Sequence, residues 1–436
     1  MRFLHTADWH LGKLFHGLHL TEDQSYVLDQ LIQITKDEKT DAVLIAGDIY
    51  DRSVPPVQAV ELLNDTLERL IREAGQKVIL IAGNHDNPER LGFASRLLAR
   101  EGLYITGPLR PDTKPVLLED EAGPVYVAPL TYGEPLAARS VLAGPGVSHP
   151  EAELGQPPPA SRETGNSAPA SPATPVDPAT LATPVDPATA ATLTTPATPA
   201  TPALQTHEEV LRRQLELMLP QIPPHARKIA LAHVFLTGAT PSPDSERALA
   251  IGGVTTVPAQ LFAPFNYTAL GHLHMCQSCG EHIRYGGSLL KYSFNEAAQK
   301  KGVQIVDLAA DGKVQLETIP LRPWRDLRCL KGSFAELLQH PAAEDLQAYL
   351  QITLTDPAPI LDVKYRLEQV YPHILHLQYE RLQPREAEAA AAPRQQLGPA
   401  ELFQNFFAQT SGRELTGSEQ KLLQSALAEL QHQEEI

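Results

Sequence analysis

The chain has 436 residues with 36 basic and 52 acidic side chains, a formal net charge of −16, and 42% apolar residues. Two or three domains with a sizeable core follow as a prior, and a wholly disordered chain is excluded. Three cysteines cannot build a disulfide framework, the first residues lack a signal-peptide pattern and no apolar run nears the roughly 18 residues of a spanning helix, so a soluble cytoplasmic protein is expected.

Along the chain, Arg2–His5, Ala42–Ala46 and Val78–Ala82 are short apolar runs that read as buried strands. Between them lie two helical segments. Thr21 and Gln24 have the spacing of a capping box, followed by Val27, Leu28, Leu31, Ile32 and Ile34 on one helical face. Val60, Leu63, Leu67, Leu70 and Ile71 mark a second helix that closes at Ala74-Gly75. This alternation predicts βαβ units and an α/β fold.

Composition changes abruptly over residues 145–206, which hold 14 of the 39 prolines and no Phe, Tyr or Trp. Thr174-Pro-Val-Asp-Pro-Ala-Thr180 repeats as Thr183-Pro-Val-Asp-Pro-Ala-Thr189. Such a tract cannot bury enough apolar surface to offset its ordering entropy, so it reads as a disordered insert. Repeat expansion in a tolerant loop and a docking tether both fit it.

Buried strands resume at Ile229–Ala232 and Tyr267–Leu270. After Pro320 the pattern becomes a small α+β unit, with strands at 349–355 and Ile374–Tyr379 and a helix at Val363–Val370. An Ala/Glu/Pro-rich stretch, 386–395, precedes two amphipathic helices, Pro399–Thr410 and Ser418–Gln433. These either cap the core or form a partner-binding hairpin. The expected domains are 1–325, carrying the insert, then 326–385, then 386–436.

Each of the five buried strands runs into Asp, Asn or His: Asp8 and His10, Asp48 and Asp51, Asn84 with His85 and Asp86, His233, then His272 and His274. Ligands bind beyond the carboxyl ends of strands in open α/β sheets, so these groups should converge. Gly47, Gly83 and Gly271 stand at strand exits, where a sharp turn is expected. Carboxylate, imidazole and amide donors suit Mn2+, Fe2+ or Zn2+, and two such metals ~3.5–4 Å apart clamp a phosphoryl displacement. Bound cations would also offset the acidic total locally, leaving a polyanionic substrate open. Asp86 either orients His85 or caps the next helix at Asn87-Pro88. Cys276 and Cys279 lack a second cysteine pair, so an ordinary thiol pair is expected over a zinc site.

Asp8-x-His10, Gly47-Asp48-x-x-Asp51, Gly83-Asn84-His85-Asp86, His233 and Gly271-His272-x-His274 together resemble the calcineurin-like metallophosphoesterase superfamily. Within it, Met1-Arg-Phe-Leu-His-Thr-Ala-Asp-Trp-His-Leu-Gly12, Ala46–Asp51, Ala82–Asp86, Ala269–His274 and Tyr285-Gly-Gly-Ser288 are similar to the SbcD family, the nuclease subunits of bacterial SbcCD complexes. The resemblance implies a sandwich of central β-sheets flanked by helices, a small α+β capping domain and a C-terminal helical hairpin. It assigns Asp8, His10, Asp48 and His274 to one metal and Asp48, Asn84, His233 and His272 to a second, most simply both Mn2+. His85 becomes the non-ligand catalytic residue. The implied activity is DNA hydrolysis in repair, recombination and replication. It is an exonuclease on duplex ends with ATP and the ATPase SbcC, and an endonuclease on hairpins and single strands, in a homodimer within a heterotetramer. The same site also serves phosphomonoesterases and cyclic-nucleotide phosphodiesterases, and a non-catalytic DNA-end scaffold would have lost one of these residues.

Overall fold

The computed structural model describes residues 1–142, 204–242 and 256–380, with a few positions between 404 and 423. Most of the predicted insert and C-terminal helices therefore lies outside the described residues. Strands β1 (Arg2–Thr6), β2 (Ala42–Ile45), β3 (Lys77–Ile81) and β4 (Leu103–Thr106) form the parallel part of a first sheet. Next come β5 (Val116–Asp120), β6 (Gly123–Leu130), β7 (Arg227–His233), β8 (Tyr267–Gly271), β9 (Gln277–Ser278) and β10 (Ile283–Tyr285), which make a second sheet. The chain then returns through β11 (Gly302–Leu308) and β12 (Val314–Pro320). The sheet orders are β12-β11-β1-β2-β3-β4 and β9-β10-β8-β7-β6-β5.

The two sheets are stacked. Phe3, Leu44, Ile79, Ile81, Val127, Ile229, Leu231 and Tyr267 form one buried cluster between them. Both faces of the central strands are covered, which is why these strands read as unbroken apolar runs rather than alternating ones. Leu4, Val43, Ile45, Val78 and Leu80 share a second cluster with helices α1 (Thr21–Asp37) and α2 (Val57–Glu68). On the far side of the second sheet, Ala230, Ala232 and Leu270 meet Leu211, Leu215 and Met218. Helix α3 is Pro135–Leu142 and α4 is His207–Met218.

Two local expectations are corrected. Thr21 is the first residue of α1, not its cap, and Leu20 at the cap position makes no side-chain bond. Gln24 is instead fully buried and serves the loop after β1. Its Nε2 donates to the carbonyls of Trp9 (3.2 Å) and His10 (2.8 Å), and its Oε1 accepts from Gly12 N (3.1 Å). The low-complexity tract also ends earlier than its composition indicates. Leu204 is buried with Leu142, Ala138 and Val210, and Thr206 forms a capping box with Glu209 at the start of α4. The described chain thus leaves at Leu142 and re-enters at Leu204 within a single apolar cluster.

After β12, strands β13 (Leu327–Gly332), β14 (Tyr349–Leu354) and β15 (Ile374–Tyr379) pair in parallel, joined by helices α5 (Phe334–Gln339) and α6 (Val363–Glu368). This βαβαβ unit has its own core of Phe334, Leu350, Ile352, Leu354, Leu367 and Tyr371. It is fastened to α1 where Tyr349 Oη donates to Asp23 Oδ2 at 2.8 Å. The rings of His16 and His376 lie 5.6 Å apart, so the unit also meets the loop that follows His10.

Candidate metal centre

Parallel pairing in register puts the carboxyl ends of β1, β2 and β3 at one level, and Gly271 opposite His233 does the same for β7 and β8. The two sets of ends face one another across the sandwich. Gly271 makes that approach possible, since a Cβ there would stand 1.9 Å from the Ala46 carbonyl oxygen. Gly83 is likewise a close-approach glycine, with a Cβ position 2.2 Å from Asp48 Oδ1. Of the three strand-exit glycines only Gly47 takes a positive φ, +86°, so the sharp-turn expectation holds for it alone.

The strain sits on the polar residues themselves. Asp8, His10, Asp48 and His272 have φ of 52°, 46°, 51° and 100°, a region that costs a non-glycine residue on the order of 1–3 kcal/mol. The flanking ladder holds them there: Asp8 N donates to Gly47 O (3.1 Å), His10 N to Asp48 O (3.0 Å) and Leu11 N to Ile49 O (2.9 Å).

The structure brings all the predicted site residues together. Asp8, His10 and His274 form one group with ligand atoms within 4.8 Å of one another, and Asp8, Asp48 and His233 form another. Asp48 Oδ2 lies 3.6 Å from His10 Nε2 and 3.5 Å from His233 Nε2, midway between two clusters of donors. Asn84 Oδ1 lies 2.9 Å from His233 Nε2 and 3.2 Å from His272 Nδ1. His85 stands beside His10, ring centroids 4.7 Å apart, with Nδ1 2.9 Å from Asp51 O and its backbone N–H on Asp48 Oδ1.

The second contacts of each imidazole show what these atoms face. His274 Nδ1 is 3.0 Å from Glu296 Oε1, and His233 Nδ1 is 2.8 Å from Ala46 O; both contacts require N–H at Nδ1. A neutral ring then carries its lone pair on Nε2. Yet His274 Nε2 is 3.1 Å from His10 Nε2, and His233 Nε2 faces the acceptor oxygen of Asn84. An N–H on His10 Nε2 and a proton on His233 would satisfy these contacts, and so would a divalent metal, which mixed N/O donors with two carboxylates fit.

Electrostatics agree. Burial drives His10 well below the usual imidazole value and His272 down to about 3, so both are neutral. Burial also raises Asp8 to about 6. Asp48, which burial alone would raise, is held well below the carboxylate range chiefly by His233. For His233 the same burial is outweighed by Asp48 and Asp8, which lift it to about 9. A proton on His233 therefore stands where a cation would sit.

Asp86 does neither of the things expected of it. Its carboxylate accepts the backbone N–H groups of Gly83 (2.9 Å), Ile49 (3.1 Å) and Tyr50 (2.9 Å), tying the Asn84-His85 loop to the Asp48 loop. The helical turn Pro88–Leu91 is capped by Asn87. Glu296 and Lys301 were not singled out by sequence. Glu296 is fully buried beside His274 and paired with Lys301, whose Nζ also donates to His274 O at 2.8 Å. No local pattern marks them, since they act through the fold. Cys276 donates to Gly286 O, and neither it nor Cys279 joins a candidate metal group among the described residues.

The calcineurin-like phosphoesterase model matches residues 1–126, and the type 5 capsule protein repressor C-terminal domain model (SbcD_C) matches 323–411. The SbcD subunit of the SbcCD nuclease from Staphylococcus saprophyticus subsp. saprophyticus is 30% identical over 433 residues, 99% of this chain and 98% of that protein. The chain belongs to the SbcD family. A second SbcD, from Staphylococcus epidermidis, is 30% identical over 380 residues, covering 86% of this chain and 85% of its own. A solved chain from Thermus thermophilus overlays at TM-score 0.36 with 15% identity, over 74% of this chain and 99% of that one. As an SbcD family member with a calcineurin-like phosphoesterase domain, the protein is a metal-dependent nuclease that hydrolyses phosphodiester bonds. The phosphomonoesterase and cyclic-nucleotide alternatives are not favoured. No helix among the described residues is long and apolar enough to cross a membrane.

Proposed function

We propose that the chain is a two-metal, Mn2+-using DNA nuclease that works with the ATPase SbcC. It would cut duplex ends with ATP and open hairpins or single strands as an endonuclease. The observation that carries the two-metal reading is Asp48 Oδ2, 3.6 Å from one imidazole cluster and 3.5 Å from the other. Asp8, His10, Asp48 and His274 would hold one ion, and Asp48, Asn84, His233 and His272 the other. Two such ions supply Lewis-acid polarisation of the phosphodiester and lower the pKa of the attacking water.

The chain's own residues do the rest. Glu296 and Ala46 O fix the ring orientations of His274 and His233 through their Nδ1 atoms. Asp51 O accepts from Nδ1 of His85 and so orients the ring with Nε2 toward the departing oxygen, to which the ring would give a proton from Nε2 when both its nitrogens are protonated. Residues 326–385 would act as a capping domain that admits DNA, supported by their packing beside the loop after His10. The amphipathic pattern of 399–433 suits docking on SbcC, in a heterotetramer built on a homodimer.

The test is Mn2+-dependent cleavage of linear duplex, hairpin and single-stranded DNA by the parent and His85→Gln, with and without SbcC and ATP. Cleavage lost in the variant, with duplex-end activity requiring SbcC and ATP, is expected. Hydrolysis of a phosphomonoester dye with no DNA cleavage under any condition would overturn the reading.

A further inference from the structure

A cavity of about 390 Å3 opens beside Asn84, within the roughly 300–1,000 Å3 of small-ligand pockets. Part of its wall is apolar, contributed by Pro88, Pro108, Leu109, Ala137 and Val141, with the ring of Tyr132 among them. Tyr132 also stands edge-on to His233, ring centroids 6.3 Å apart, so the wall of this cavity is in contact with the centre itself. The carboxylates Asp86, Glu89 and Glu134 line it and no Lys or Arg does. That charge rejects a phosphate. A flat, uncharged, partly apolar group attached to a phosphate at the metal ligands fits these walls.

We propose that this cavity takes the nucleobase of the nucleotide whose phosphate lies at the Asn84 side of the centre, with Tyr132 as its aromatic wall. The inference rests on the nuclease reading and deepens it, since the proposed substrate supplies such a base. Asn84 links the two places. It lines the cavity, while its Oδ1 faces His233 and His272. Apolar and aromatic walls accept any base by its faces, so the pocket would add affinity without strict sequence preference.

The experiment compares dAMP with 2-deoxyribose 5-phosphate, which carries the same sugar phosphate and no base, by calorimetry on the full chain loaded with Mn2+. Stacking of one base on an aromatic wall predicts roughly five- to hundredfold tighter binding of dAMP. Ala137→Trp, at an exposed position on the cavity wall, should bring that ratio below about twofold, and Tyr132→Ala should reduce it. The readout is a ratio within one sample, so a partly unfolded preparation lowers both affinities together and does not mimic the effect. Equal affinities in the parent, or an advantage that survives Ala137→Trp, would overturn the pocket. A parent that cleaves DNA yet treats both ligands alike defeats only this inference. A parent that prefers dAMP and cleaves no DNA defeats the nuclease reading instead.

Discussion

Nδ1 of His274 lies 3.0 Å from Oε1 of Glu296, and this contact selects which nitrogen of the ring is left for a metal. Burial would raise Glu296, but the His274 bond and the Lys301 charge bring it down to about 2, so it is ionised and acts as an acceptor. Glu296→Gln removes that charge and can present an N–H to the same ring. Mn2+ affinity should fall roughly 10–100-fold, as for other outer-shell partners of metal-binding histidines. Stability should fall as well, by about 3–5 kcal/mol, because Lys301 is left buried without its carboxylate. Metal titration and urea unfolding of the variant check both.

Asp86 holds two loops together rather than taking part in the chemistry. Asp86→Ala strands three backbone N–H groups, and each buried donor left unsatisfied costs about 1–3 kcal/mol. Lower stability should be accompanied by weaker metal binding, since Asp48 and Asn84 lose their common anchor. His85→Gln, by contrast, should keep metal binding and lose cleavage. A thermal melt with and without Mn2+ separates the two variants; equal metal-induced stabilisation in Asp86→Ala and parent would contradict the anchoring role.

Metal uptake should compete with protons. His233, lifted to about 9, is protonated at neutral pH and must lose that proton before its Nε2 can ligate. Apparent Mn2+ affinity should therefore rise with pH, by up to roughly tenfold per unit below about 9, and more steeply below about 6, where Asp8 also takes up a proton. Calorimetry in two buffers of different ionisation enthalpy should report release of about one proton per centre at pH 7.5. A pH-independent affinity would reject this.

Asp120 joins the two sheets. Its carboxylate accepts from the Arg227 guanidinium on β7 and lies 2.9 Å from the Met1 α-amino group, next to β1. The Arg227 hydrogen bond holds this carboxyl well below its usual value despite some opposing burial. A depressed folded-state pKa means the contribution is fully present above the unfolded value of about 4 and is lost as pH falls toward the folded one. Asp120→Asn should cost about 1–2 kcal/mol at pH 7. Urea unfolding at pH 7 and pH 3 should show the gap between parent and variant narrowing in acid.

Five strands were legible in the sequence because each is buried on both faces and exits into a polar cluster, two independent signals that coincide. The convergence of Asp8, Asn84, His233 and His274 follows from that topology. Gln24 and Asp86 were misread because their local spacing satisfies a capping rule, while their partners lie in other loops and become visible only in three dimensions. The reverse holds at Thr206-x-x-Glu209 and Ser333-x-x-Glu336, capping boxes that do start α4 and α5 but are masked in the sequence by a Pro/Thr-rich tract and by the shortness of the element. β13 escaped because Leu327-Arg-Cys-Leu-Lys-Gly332 does not alternate cleanly.

Leu142 and Leu204 meet in one apolar cluster, with Arg139 Nε donating to Leu204 O. A change in the length of chain between these two points should therefore cost little: in general, doubling a loop adds only about 0.6 kcal/mol of closure entropy. Gain or loss of repeat units at this point should leave unfolding stability nearly unchanged, which would make it a natural splice port. A short Gly/Ser bridge, or an entire reporter domain whose termini lie close together, should be accepted there with DNA cleavage retained.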